Sequence, residues 1–237
     1  MERRDFLKAC AAGATLAASA PQALAAQQAS PRYYARALLT DANGDPLRAS
    51  SLKAGVNYIF HYPFGGTPCF LLDLGKPTQR DVALKTADGQ RYVWSGGVGA
   101  GRSIVSFSAI CAHKLAYPTR QISFISYRGN DESSTFARAQ TIHCCAEHSE
   151  YDPASGGKVL GGPAEQPLAA ILLEHDASAD RLYAVGTLGG ELFNEFFQKY
   201  EMKLALEHRS DTLPRQPVAS SAKVSELAVY CQQRVRC

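Results

Sequence analysis

From Tyr33 onward the chain is broken into short apolar or alternating runs by turn-forming residues, and this punctuation limits what it can fold into. Residues 34–39 run into Asp41-Ala42-Asn43-Gly44, 56–62 into Gly65-Gly66, 69–74 into Gly75-Lys76-Pro77, and 82–84 precede Asp88-Gly89. Further runs span 91–95, 103–110, 121–127, 168–174 and 181–185. Such runs, cut by Asn-Gly, Asp-Gly and Gly-Gly, predict an all-β domain. The exception is 191–206, where Leu192, Phe193, Phe196, Phe197 and Tyr200 form an apolar stripe at helical spacing. Residues 210–221 are polar and contain proline, which fits a surface strap, and 223–232 read as a final short helix.

The N-terminus reads as an address. Arg3-Arg4-Asp5-Phe6-Leu7-Lys8 precedes an alanine-rich stretch and Ala23-Leu24-Ala25, the order of a twin-arginine export signal over residues 1–26. The apolar stretch is shorter than the ~20 residues of a spanning helix, which favours cleavage, while retention as an inner-membrane anchor stays open. The expected location is therefore periplasmic. A formal net charge of +3, with no basic cluster interleaved with aromatics, argues against nucleic acid as a partner.

Seven cysteines in 237 residues point to metal ligation or an oxidising compartment. Two motifs carry the chemistry. Cys111-Ala112-His113 follows the apolar run that ends at Ile110, and Cys145-Ala146-Glu147-His148 follows Thr141-Ile142. A C-x-H and a C-x-x-H box at strand ends offer two soft thiolates and two neutral imidazoles. Zinc accepts such a set too, although its sites usually pair tighter hooks.

With these boxes and their neighbours the chain resembles the Rieske family, in its high-potential branch. That branch includes the iron–sulfur subunits of cytochrome bc complexes and the small subunit of arsenite oxidase. The strand and loop at 104–113 are similar to the first cluster loop, and Ser149, Tyr151, Asp152 and Pro153 to the tail of the second. Gly161-Gly162-Pro163-Ala164 resembles the proline loop, and 168–185 the closing hairpin; the likeness covers about residues 33–200.

The resemblance implies an antiparallel β sandwich with a small inserted cluster-binding subdomain and a short C-terminal helical tail. The domain would span 30–200, with cluster loops at 108–118 and 143–165 and an extension at 201–237. It implies a [2Fe–2S] cluster with Cys111 and Cys145 on the buried iron and His113 and His148 on the exposed one. Ser149 and Tyr151 would donate hydrogen bonds to its sulfurs, and Gly162 and Pro163 would shield it. Histidine ligation places such clusters at about −150 to +300 mV. The implied work is one-electron transfer beside a larger catalytic or cytochrome subunit, with a quinol or partner enzyme as donor and a c-type cytochrome as acceptor.

Three features depart from the pattern. The boxes lie 31 residues apart, with a polar excess at 128–134. The extra disulfide-forming cysteines of bc-type loops are replaced by Ala116 and Glu147. Between His148 and Tyr151 the chain is one residue short, so a second register fits as well. Aligning on 149–153 puts Cys144 at the ligand cysteine, Glu147 at the ligand histidine, and His148 where glycine is usual. The C-x-x-H spacing favours Cys145 and His148. A cluster-free structural subunit is the alternative reading, and a ferredoxin serving a ring oxygenase is disfavoured by the export address. Cys69, Cys144, Cys231 and Cys237 could form two disulfides in three pairings. His143 reads as a strand-end surface residue, and Trp94 and the phenylalanine stripe as packing residues.

Overall fold

The computed structural model describes residues 28–129 and 138–237; the expected export signal and most of the polar insertion lie outside them. Among the described residues the chain forms β1 (Arg32–Thr40), β2 (Tyr58–His61), β3 (Pro68–Asp73), β4 (Val82–Lys85), β5 (Arg91–Trp94) and β6 (Ile104–Ser108). Then come β7 (Ile122–Ser123), β8 (Ile125–Tyr127), β9 (Ile142–Cys144), β10 (Ser149–Asp152) and β11 (Lys158–Gly161). β12 (Ala170–Asp176) and β13 (Arg181–Leu188) lead into helix α1 (Phe193–His208). The C-terminal part adds β14 (Ser221–Lys223), β15 (Ser225–Glu226), helix α2 (Leu227–Tyr230) and β16 (Gln233–Arg234).

The large sheet has the order β14-β1-β13-β12-β6-β3-β2-β15, antiparallel except for the parallel β1–β14 pair. Its middle strands are buried on both faces. Ile59, Phe70, Leu72, Val105 and Phe107 face one core, together with Leu84, Tyr92 and Trp94 of the β4–β5 hairpin. Alternate residues Tyr58, Phe60, Cys69 and Leu71 face a second core with Ala37, Leu39, Leu182, Ala184 and Ala222. Period-two alternation between two apolar surroundings explains why these stretches read as continuous apolar runs.

A four-stranded sheet, β11-β10-β9-β8, forms the inserted subdomain. Its Ile125, Tyr127, Ile142 and Tyr151 join the first core. The Asn57 side chain locks it to the large sheet, donating to Tyr127 O at 3.0 Å and accepting from Tyr127 N at 2.7 Å. The fold is therefore all-β in its body, as expected.

The helix predicted over 191–206 forms two residues later. The expected final helix at 223–232 does not form as such: only one turn is helical, because Ser225 and Glu226 pair with Ile59 and Tyr58 of β2. Residues 210–221 do form a strap. Gly65 N and Gly66 N donate to Gln216 O and Pro214 O, and Val218 N donates to Pro63 O. No described helix is long and apolar enough to cross a membrane.

Candidate metal centre

The first loop leaves β6 beneath a backbone clasp, with Ser108 N donating to Ala169 O and Ala109 N to Pro68 O. Cys111 N donates to Ala116 O and Leu115 N to Cys111 O, closing a tight turn with Leu115 at φ +61°. The turn buries Cys111 and leaves the His113 side chain 21% exposed. Helix α1 buttresses it from behind. Phe193, Phe196, Phe197 and Leu204 pack with Ile110 and Tyr117, and the Tyr117 and Phe196 rings meet edge-on at 4.9 Å. Lys199 Nζ donates to Lys114 O at 2.6 Å. The phenylalanine stripe thus serves packing, as does Trp94, whose ring lies 6.1 Å from that of Phe107.

The second loop is the β9–β10 hairpin. Ser149 pairs with Cys144, Glu150 with His143 and Tyr151 with Ile142. Residues directly opposite in such a ladder share a face, so Ile142, Cys144, Ser149 and Tyr151 point into the core, and His143 and Glu150 point the other way. Residues 145–148 make the turn, closed by His148 N donating to Cys144 O at 2.8 Å.

This corrects the expectation for the second box. Cys145 lies past the end of the buried face and is disulfide-bonded to Cys237. Arg128, itself buried, donates to Cys145 Sγ and Val235 O, each at 3.0 Å. His148 sits at φ +60°, in the left-handed region that favours glycine, and its Nδ1 lies 3.3 Å from His143 Nε2. The thiol brought to Cys111 is that of Cys144, and the side chain brought to His113 is Glu147, with 3.4 Å between Oε2 and Nδ1. His143 is buried and faces Glu150, not the surface. Cys69 and Cys231 are free and buried.

The electrostatics favour one anionic sulfur, at Cys111. The Cys144 thiol donates to Cys111 and holds it below the usual thiol range; the Tyr151 hydroxyl and the amides of His113 and Lys114 add to this. Cys144, as the donor to Cys111 and by burial, is held above the usual thiol range, with the amides of Ala146 and Glu147 aimed at its sulfur and pulling the other way. Tyr151 is fully buried, with its hydroxyl 3.3 Å from Cys111 Sγ and accepting from Ala112 N at 3.1 Å.

These residues fit an iron–sulfur group. Two thiols from two loops meet, each facing a pair of amide donors. Among the described residues, buried Ser149 Oγ meets no hydrogen-bond partner, a costly state unless a sulfur or other acceptor lies before it. The proline loop closes the third side: a Cβ on Gly162, at φ +81°, would stand against His148 O and 2.6 Å from Ser149 Cα. Pro163 is exposed at its tip. Among the described residues, the three donors that lie within 4.8 Å as one set are His143, Cys145 and Cys237, two of them bonded to each other. Cys111–Cys144 and His113–Glu147 remain two separate pairs. Two irons need that division, whereas one zinc needs all four donors together.

No family model matches the chain. It is 28% identical over 191 residues to iodate reductase subunit IdrB of Denitromonas iodatirespirans, covering 80% of this chain and 82% of that protein. Against iodate reductase subunit IdrB of Pseudomonas sp. (strain SCT) the identity is 29% over 193 residues, covering 80% of each. Among solved structures it is similar to the soluble domain of the Rieske protein II (soxF) from Sulfolobus acidocaldarius. There the identity is 26% over 65% of this chain and 78% of that one, at a TM-score of 0.45. The ferredoxin of carbazole 1,9a-dioxygenase from Nocardioides aromaticivorans IC177 aligns at 14% identity over 62% and 95%, at a TM-score of 0.34. Two cysteine loops meet under a buried tyrosine and are closed by a proline loop, the arrangement the Rieske resemblance implies, and the chain is similar to these reductase subunits over 80% of its length.

Proposed function

We propose that the chain is the electron-transfer subunit of an exported oxidoreductase, working through a Rieske-type [2Fe–2S] cluster. The observation that carries this reading is the meeting of Cys111 with Cys144 beneath Tyr151, with His113 outside them. When bound, the cluster supplies a one-electron couple whose potential is set by its ligands and the hydrogen bonds to its sulfurs.

The chain's own residues do the rest. Cys111 and Cys144 anchor the buried side, and the four amides and the Tyr151 hydroxyl stabilise negative charge on sulfur. Ser149 offers one more donor. His113, partly exposed at the outer edge, is the contact point for a redox partner. Gly162 lets the proline loop approach closely enough to exclude water from the third side.

The relatives are named as subunits of a reductase, which supports a larger catalytic partner here. That partner or a membrane quinol would be the donor or acceptor on one side, and a c-type cytochrome serves on the other. Export by the twin-arginine route to the periplasm, with or without retention of the N-terminus in the membrane, is part of the reading. Arg3-Arg4 supports it, and so does the Cys145–Cys237 disulfide, since such bonds persist in oxidising compartments.

A cluster-free scaffold is the second reading, favoured by Glu147 standing where the second histidine is expected. Iron and acid-labile sulfide analysis, with electron paramagnetic resonance of the reduced protein, separates the two. Stoichiometric iron and sulfide with a Rieske-type signal is the expected result. A protein without iron and sulfide after anaerobic reconstitution would leave the scaffold reading standing.

A further inference from the structure

We infer that Glu147, not a second histidine, supplies the fourth ligand of the cluster, so that the donor set is two thiolates, one imidazole and one carboxylate. This rests on the cluster reading above and specifies its ligands.

The ladder fixes the position. Because Cys144 pairs with Ser149 and Tyr151 with Ile142, the C-x-x-ligand spacing counted from Cys144 ends on Glu147. The amide of Glu147 itself donates to Cys144, which ties the residue to the sulfur beside it. Its Oε2 stands 3.4 Å from His113 Nδ1. Two donors each about 2.1 Å from one tetrahedral ion keep about that separation from each other. A partly exposed carboxylate–imidazole contact contributes little on its own and does not account for a carboxylate at this station.

His148 is placed elsewhere. Its Nδ1 is engaged by His143 Nε2 at 3.3 Å, and His143 lies on the hairpin face opposite Cys144. Its backbone is in the left-handed region and lies against Gly162, so a shift of the turn by one residue would collide with the proline loop.

The chemistry is coherent. A carboxylate is a hard anionic oxygen donor that iron accepts. It adds a negative charge that a neutral imidazole lacks, so the cluster should be harder to reduce than one with two histidines.

Pulsed electron paramagnetic resonance on the reconstituted, reduced full-length protein counts strongly coupled ¹⁴N nuclei. One such nitrogen is expected in the wild type and two in Glu147→His, whose midpoint potential should rise. His148→Gln should keep the iron, the sulfide and the one-nitrogen spectrum, while Glu147→Gln should lose most of its iron and sulfide. Two nitrogens in the wild type, or loss of one in His148→Gln, overturns the inference and leaves the cluster reading intact. Full cluster content with unchanged potential in Glu147→Gln reduces Glu147 to an ion-pair partner and overturns it as well. A wild-type protein that takes up no iron and sulfide overturns the cluster reading itself.

Discussion

In the proposed cluster site, Tyr151 is the buried side chain placed to tune the potential through a ligand sulfur. Burial keeps its phenol protonated, because the ionised form would be poorly solvated there. The hydroxyl is therefore a permanent donor, 3.3 Å from Cys111 Sγ and positioned by Ala112 N. A hydrogen bond to a ligand sulfur favours the reduced, more negative cluster. Tyr151→Phe should lower the midpoint potential by some tens of mV, at ~59 mV per tenfold change in relative stabilisation, with little loss of iron. Protein-film voltammetry reads this, and an unchanged or raised potential would contradict the role. Single residues were unevenly legible in the sequence. Cys111 and His113 are readable because C-x-H occurs once and follows a plain apolar strand. Cys145 and His148 mimic the second box only because Cys144 and Cys145 are adjacent; the Cys144–Ser149 pairing separates the two cysteines, and spacing alone does not contain it.

At the scale of elements, β9 and β10 convert a one-residue ambiguity into a definite chemical difference. A slip of one position turns every side chain to the opposite face. Here it would turn Cys145 and Glu150 toward the core and Cys144 and Tyr151 away from it. The apolar members Ile142 and Tyr151, both fully buried, oppose that slip. Cys144→Ser should therefore abolish cluster assembly, while Cys145→Ser should retain iron and sulfide near the wild-type ratio. Metal analysis of the two purified variants decides between the registers, and a cluster that survives in Cys144→Ser would reverse the assignment. The strands of the large sheet are legible because their two buried faces give continuous apolar runs. β10 and β11 are not, since Ser149, Glu150 and Asp152 are polar and their burial depends on partners far along the chain. Glu150, for example, faces His143 and accepts from Arg138 N at 2.7 Å.

On the scale of the whole molecule, the C-terminal residues close the structure around the site. β14 pairs in parallel with β1, β15 extends the large sheet beyond β2, and β16 pairs with β7. Composition suggests a tail at 201–237, because strands of two or three residues leave no periodic signal; their partners make them strands. The last residue, Cys237, is then bonded to Cys145 across a sequence separation of 92, and Arg128 bridges the same region through Val235 O. A cross-link closing a loop of that length restricts the unfolded chain strongly, by ~4–5 kcal/mol in the chain-entropy account and ~2–4 kcal/mol in typical measurements. Replacing both cysteines with serine should lower the urea midpoint correspondingly while leaving cluster content intact, because neither thiol is a ligand in the proposed site. Reductant should shift the wild-type curve toward that of the double variant and leave the variant unmoved. If the two proteins unfold together under oxidising conditions, the bond does not hold the C-terminus in solution. If the double variant instead loses iron in proportion to its stability, the C-terminal closure supports the metal centre itself and not merely the surrounding fold.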